Sequence, residues 1–287
     1  MIDRLLALAS VVPFAIGTAS GPDDPAYTVD LTYRDPAIVE SSGLVVRDGL
    51  SVTVNDSGDR GRIFTVDGYG ETVGTTSWAD DPTDVEALAP AGPGHVWVGD
   101  IGDNPGSRSS ISVLRVPFGA GDRTVAPASY ELVYPDGPHD AETLLAHPRT
   151  GRLFVVTKNL FGGAVYAAPR DLSASEPNEL TAVAESMAFA TDGAFFPDGR
   201  RYVLRDYGSA AVYSFPGHER LASFRLPAQR QGEGIAVAED GSVHVGTEGQ
   251  FTEVLRVDTI TTWSVVSSAV RFVARAAGLL LGHGAAA

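Results

Sequence analysis

Cysteine is absent from the 287-residue chain, which excludes both a disulfide framework and a thiol nucleophile. Histidine is scarce. The six present, His95, His139, His147, His218, His244 and His283, show no paired ligand spacing, which argues against zinc. His139 and His147 flank an acidic motif, yet lone loop histidines are commonly just solvated. Basic residues are outnumbered, 21 Lys+Arg against 36 Asp+Glu, for a net charge of −15. That sign disfavours a nucleic-acid partner, whose phosphates demand Lys and Arg, and favours cations or a solubilising role. Neither a Gly-x-Ser-x-Gly elbow nor a Walker loop occurs. Trp78, Trp97 and Trp263 are scattered, and Trp97 falls in an alternating strand, so core packing suits it better than sugar stacking.

Glycine and proline are plentiful instead, at 32 and 18, and supply the turns that many short strands require. One short motif recurs five times: Glu40-Ser-Ser-Gly-Leu44, Asp84-Val-Glu-Ala-Leu88, Asp140-Ala-Glu-Thr-Leu144, Thr191-Asp-Gly-Ala-Phe195 and Gln231-Gly-Glu-Gly-Ile235. An alternating strand follows each, at Ser51–Asp56, His95–Asp100, Leu153–Lys158, Arg201–Asp206 and Val243–Glu248. A third period-two strand then begins at Arg62, Ile111, Ala164, Ala211 and Thr252. Fourth strands are more variable, with Tyr130–Tyr134 and Leu221–Leu226 the clearest. Units of roughly 40 to 50 residues, each with several short strands, mark a β-propeller of four-stranded antiparallel blades. A β-sandwich would explain the alternation but not the recurring acidic turn. Five copies predict five blades, a sixth requiring the unassigned ends to form one. The alternating Tyr27–Tyr33 segment precedes the first motif and is expected to complete the last blade, closing the ring.

Geometry turns the repeat into a candidate site. Neighbouring strands of a blade are antiparallel, so the start of each inner strand and the end of the next lie on one rim. The five turns therefore converge on the axis. They bring together Glu40 or Ser42 with Glu86, Glu142, Asp192 and Glu233, and set Asp56, Asp100, Lys158, Asp206 and Glu248 just outside. Carboxylates that close cannot all stay ionised without a counter-cation. Lys158 and Arg205 supply some charge, and an oxygen-seeking ion such as Ca²⁺ is the expected further partner. The candidate metal ligands are thus Glu86, Glu142, Asp192, Glu233, Asp100 and Asp56, with Lys158, Arg205, Asp206 and Glu248 as candidate ligand contacts. The loops Asn55–Arg62 and Gly99–Gly106 add Asp, Asn and Gly, but lack the EF-hand spacing. Turn chemistry explains each loop taken alone, because Asp and Asn bond their own backbone.

Several short motifs resemble a known group. Gln231-Gly-Glu-Gly-Ile-Ala236, Gly246-Thr-Glu-Gly249, Asp140-Ala-Glu-Thr-Leu144, His147–Val156 and Asp100-Ile-Gly-Asp-Asn104 look like blade motifs of bacterial exported propellers related to SdiA-regulated and phytase-like proteins. The likeness spans about residues 38 to 258. It implies an acidic central channel with calcium, and would implicate Glu86, Glu142, Asp192 and Glu233. The chain departs from that pattern at Ser42, where the acid shifts to Glu40, and at Asp192, which is shorter than Glu. Two functions follow as expectations. One is a non-enzymatic propeller, expected to be monomeric, that binds an ion, small ligand or protein at its mouth. The other is a calcium-dependent phosphoesterase or lactonase, with Arg60, Arg62, Arg108, Lys158 and Arg205 available for an anionic substrate.

The ends stand outside the repeat, so the expected divisions are 1–20, 21–262 and 263–287. Residues 1–20 run from Arg4 through an apolar stretch to Thr18-Ala-Ser20, the layout of an export signal, which predicts an extracytoplasmic protein. The tail from Ser264 has an apolar section of about 17 residues interrupted by Arg271 and Arg275, short and costly for a membrane span. A surface-lying helix in peripheral contact with an anionic membrane, or a helix packed on the propeller, suits it. The mature chain is expected to begin between Ser20 and Asp23. Intact mass of the secreted protein checks this, and a retained Met1 would overturn it.

Overall fold

The structure, a computed structural model, describes residues 25–56 and 58–258. The expected signal segment and the 263–287 tail lie outside the described residues. Every regular element among the described residues is a strand. Strand β1 (Tyr27–Thr32) leads into blade one, made of β2 (Ser41–Arg47), β3 (Leu50–Asn55), β4 (Arg62–Val66) and β5 (Thr72–Ser77). Blade two holds β6 (Val85–Pro90), β7 (His95–Asp100) and β8 (Ile111–Pro117), then a short β9 (Arg123–Thr124) and β10 (Ala128–Val133). Blade three holds β11 (Ala141–Ala146), β12 (Leu153–Thr157) and β13 (Ala164–Ala167), a short β14 (Asn178–Glu179), and β15 (Thr181–Glu185). Blade four comprises β16 (Asp192–Phe195), β17 (Arg201–Arg205), β18 (Ser209–Ser214) and β19 (Arg220–Arg225). Blade five comprises β20 (Gly232–Val237), β21 (Val243–Thr247) and β22 (Glu253–Val257).

The fold is a five-bladed β-propeller. The closing strand lies where the sequence placed it, with β1 pairing antiparallel to β22 and completing the sheet β1-β22-β21-β20. The ring is therefore fastened by strands from the first and last parts of the described residues, and blade five gains its fourth, outer strand. The structure also shows what the pattern did not announce. Strands β9 and β14 each leave their own blade to add a two-residue parallel strand to the outer edge of the preceding one, on β5 and β10. Two residues carry no periodicity, so nothing in the sequence marks them.

The inner strands β2, β6, β11, β16 and β20 adjoin one another around the axis. Crowding there demands small side chains, and the sequence supplies Gly43, Ala87, Ala141, Gly193 and Gly234. A Cβ on Gly43 would strike the backbone of Ala87 and Leu88, so the neighbouring inner strand sits directly against the glycine. Outward from the axis, Val, Ile and Leu fill the spaces between blades. Between blades one and two, for example, Val52, Val54 and Ile63 meet Val96, Val98 and Val116. Outer strands alternate toward solvent, as in β19.

Polar ties hold the blades in register near the axis. Ser42 Oγ donates to the Glu86 carbonyl at 2.7 Å, linking blades one and two. Asp103 N donates to Asp140 Oδ1 at 2.9 Å, linking two and three. His147 Nε2 lies 3.0 Å from the Gly199 carbonyl, linking three and four, while its Nδ1 accepts the Thr150 amide. His147 is thus a buried strut rather than the solvated loop residue expected. Gly43→Ala is expected to overpack the inner ring and lower stability by about 1–3 kcal/mol. Urea unfolding checks this, and an unchanged midpoint would show that the ring can widen.

Candidate functional site: an acidic mouth

Glu86, Glu142 and Glu233 each occupy the second position of an inner strand, where the turn before it has just delivered the chain to the axis. All three are buried, at 5 %, 6 % and 5 % exposure. Burial pushes the Glu86 carboxyl well above the usual range, and repulsion from Glu142, Asp56, Asp84 and Glu233 adds to it. Burial does the same to Glu142 against the opposing pull of Lys158. Glu233, with both Lys158 and Arg205 in its field, is raised only to about 6. One side of the mouth gathers tightly: Asp56, Asp84 and Glu86 offer carboxylate oxygens within 4.8 Å of one another. Gly102 permits this, because a Cβ there would run into the carboxylates of both Asp84 and Glu86.

An ammonium stands among these acids. Lys158 is the only lysine of the chain. Its Nζ pairs with Glu142 Oε1 and donates to the Tyr207 hydroxyl at 2.9 Å. Burial alone would lower the ammonium's pKa, but Glu142, Tyr207 and Glu233 together outweigh it and hold the group charged. The second oxygen of Glu142, Oε2, is buried without a hydrogen-bond partner. A carboxylate oxygen held dry and unpaired costs more than an ordinary hydrogen bond returns, and points to a group that completes it.

The sequence-derived list divides in two. Glu86, Glu142, Glu233, Asp56, Lys158 and Glu248 are brought to the mouth, Glu248 with its pKa raised to about 8 by burial and by Glu233, Asp56 and Glu40. Asp192, Asp100, Asp206 and Arg205 are engaged elsewhere. Asp192 is fully buried and accepts the amides of Gly193 and Ile235 at 2.7 and 2.8 Å, tying blade four to blade five. Asp100 accepts the amides of Thr83 and Asp84 and pairs with Arg108 at 2.8 Å. Asp206 caps its own turn through Gly208 N and Ser209 N. Arg205 is fully buried and donates to the Gly234 and Gly246 carbonyls at 2.9 and 3.1 Å. It pins two blades together rather than facing a ligand. Tyr207 and Asp84 were not singled out by the sequence. The signal for Tyr207 was its place two residues past the end of a second strand, one beyond the position equivalent to that of Lys158.

A second constellation has the spacing of a nucleophilic triad: Ser242 Oγ is 2.9 Å from His244 Nε2, and His244 Nδ1 is 3.0 Å from Asp30 Oδ2. The Ser242 hydroxyl, however, donates to Asp240 at 2.5 Å. A carboxylate beside that oxygen opposes the negative charge a reaction would build there. The group clasps β1 to the β20–β21 hairpin.

No family model matches the chain, and no curated protein matches it. Among solved structures, a glucose dehydrogenase is similar over 82 % of this chain and 100 % of that one, at 10 % identity and a TM-score of 0.49. Substrate and cofactor do not follow from a likeness of that degree.

The raised carboxylates set a pH dependence. A group whose folded pKa exceeds its unfolded value favours folding below the unfolded pKa, and that contribution is lost as pH climbs through the folded one. For Glu248 the window runs from 4.5 to about 8, and Asp84 and Glu233 titrate within it at about 6. Chelator-treated protein is therefore expected to melt progressively lower between pH 5 and pH 8. Calorimetry across that range checks this, and a flat profile would show that the acids carry no such repulsion.

Proposed function

We propose that the protein is an exported, non-enzymatic propeller whose acidic mouth takes up a hard divalent cation, with calcium the expected ion. The observation that carries this reading is the buried, unpartnered Glu142 Oε2, on a carboxylate that is repelled by Glu233 and Asp140 and itself repels Glu86. Asp56, Asp84 and Glu86 would supply most of the ligand oxygens, with Glu142 and Glu233 completing the shell. The donors are all oxygen, which suits Ca²⁺ and offers nothing to softer ions. Calcium modules that work outside the cell bind with dissociation constants of about 10⁻⁴–10⁻³ M, a range compatible with a site that must first displace protons.

Hydrolysis of an anionic substrate draws less support. Of the five cations available for it, Arg62 pairs with Asp59, Arg108 with Asp100, Lys158 with Glu142, and Arg205 is buried on backbone carbonyls. Only Arg60 remains outside such pairs. A phosphoesterase or lactonase would need cations turned toward the substrate rather than toward the protein's own acids.

Addition of millimolar Ca²⁺ is expected to raise the melting temperature, since a ligand of the folded state stabilises it by mass action. Asp84→Asn combined with Glu86→Gln should abolish that rise while leaving the chelated protein at least as stable. Lys158→Met should do the reverse, lowering the stability of the chelated protein and tightening Ca²⁺ by about tenfold or more, because the tethered ammonium no longer competes. A wild type indifferent to Ca²⁺ would sink the ion-binding reading.

A further inference from the structure

The acidic mouth is bordered by apolar side chains that stand in solvent. Phe161 is 92 % exposed, Leu160 58 %, Phe251 55 % and Val39 38 %. Each adjoins a charged group of the mouth in sequence: Leu160 and Phe161 follow Lys158, Phe251 follows Glu248, and Val39 precedes Glu40. Phe251 also has φ of 57°, in the left-handed region that glycine or asparagine occupies readily and a bulky residue rarely does. The chain thus holds an aromatic ring in water, on a backbone that disfavours it, beside a cluster of acids. Solvated turns do not require that combination.

The connectors between second and third strands form the crown around the mouth. They run over residues 56–61, 101–110, 158–163, 206–208 and 248–252 in blades one to five. Blade four has the shortest, so the crown is lowest there, between the two loops that present Phe161 and Phe251. Tyr207 lies in that short connector. Its ring lies 5.3 Å from the Lys158 ammonium, whose hydrogen bond to the Tyr207 hydroxyl ties the gap to the mouth.

We propose that the crown docks an extended protein segment in which a lysine or arginine enters the acidic mouth while apolar residues on either side rest on Phe161 with Leu160 and on Phe251. This rests on the reading of the mouth as a cation site and names a further class of occupant. Charge complementarity selects the partner. The mouth acids outnumber the single ammonium among them, and the whole chain carries −15. An anionic membrane surface would be repelled by that field. A bare metal ion gains nothing from an apolar rim, whereas a cation flanked by hydrophobic residues uses both features.

The test uses three end-blocked pentapeptides, Phe-Gly-Arg-Gly-Phe, Phe-Gly-Gln-Gly-Phe and Ser-Gly-Arg-Gly-Ser, titrated calorimetrically into the full chain with chelator present. The first is expected to bind at least tenfold more tightly than either of the others. Phe161→Ser with Phe251→Asn should weaken it by tenfold or more, leave the melting temperature no lower, since asparagine suits the left-handed backbone at 251, and leave the response to Ca²⁺ unchanged. Added Ca²⁺ should weaken the first peptide, because both draw on the same oxygens. Equal binding of all three peptides, no binding of any, or indifference to the double substitution would overturn the proposal. The calcium response of the same samples is read separately. Peptide binding without a calcium response would sink the ion and keep the docking, and the converse would sink the docking alone.

Discussion

Convergence on one axis is the constraint from which the rest follows. Five inner strands meet there, and their first residues are forced into each other's neighbourhood whatever those residues are. Small side chains resolve the crowding along the strands, as Gly43 does against β6. At the strand starts the chain instead places Glu86, Glu142 and Glu233, which lose water on folding without gaining backbone donors. Desolvation then raises their pKa values, and mutual repulsion raises them further. The charge imbalance of the mouth is thus a product of closing the ring.

Two kinds of acid line that ring, and side-chain length separates them. Aspartate keeps its carboxylate close to the backbone, its own or an adjoining strand's, and several aspartates near the rim accept amides: Asp192 from Gly193 and Ile235, Asp100 from Thr83 and Asp84, Asp103 from Ser107 and Arg108. Such acids hold blades and turns together. Glutamate, one methylene longer, projects past the backbone into the channel, where amides are out of reach. Asp84 comes to lie with the glutamates because the Gly102 connector leaves room for it beside Glu86, and Asp56 brings an oxygen within 4.8 Å of both. The same residue class therefore supplies both the fastening and the charge of the molecule.

That division explains what could be read from the sequence and what could not. Repeat period and alternation disclose five blades, because strand faces are a property of side-chain order. The closing role of Tyr27–Thr32 was legible for the same reason, since an alternating segment before the first repeat has one unfilled place to go. Convergence of Glu86, Glu142 and Glu233, with Lys158 beside them, follows from strand polarity alone. Which carboxylate oxygen meets an amide does not. Asp192 and Glu233 sit at nearly equivalent points of their repeats, and only the backbone path of the adjoining blade decides that one is a tie and the other a ligand candidate. The strands β9 and β14 escaped notice because they borrow their pairing from a neighbouring blade.

A single lysine among 21 basic residues marks the mouth off from the rest of the surface. Arginine's broad fork suits ties to several carbonyls, as Arg205 shows with Gly234 and Gly246, whereas a compact ammonium neutralises one point without filling the channel. Lys158 answers one oxygen of Glu142 and leaves the other bare. Protons, a divalent ion and a cationic side chain from outside would all draw on the remaining charge, and occupants of one set of oxygens are linked reciprocally. Whatever binds must release protons in the pH range where Asp84, Glu233 and Glu248 titrate, so its apparent affinity rises with pH until those acids are ionised. If the proposed occupants bind, acidity and cations act on such a mouth through the same few atoms.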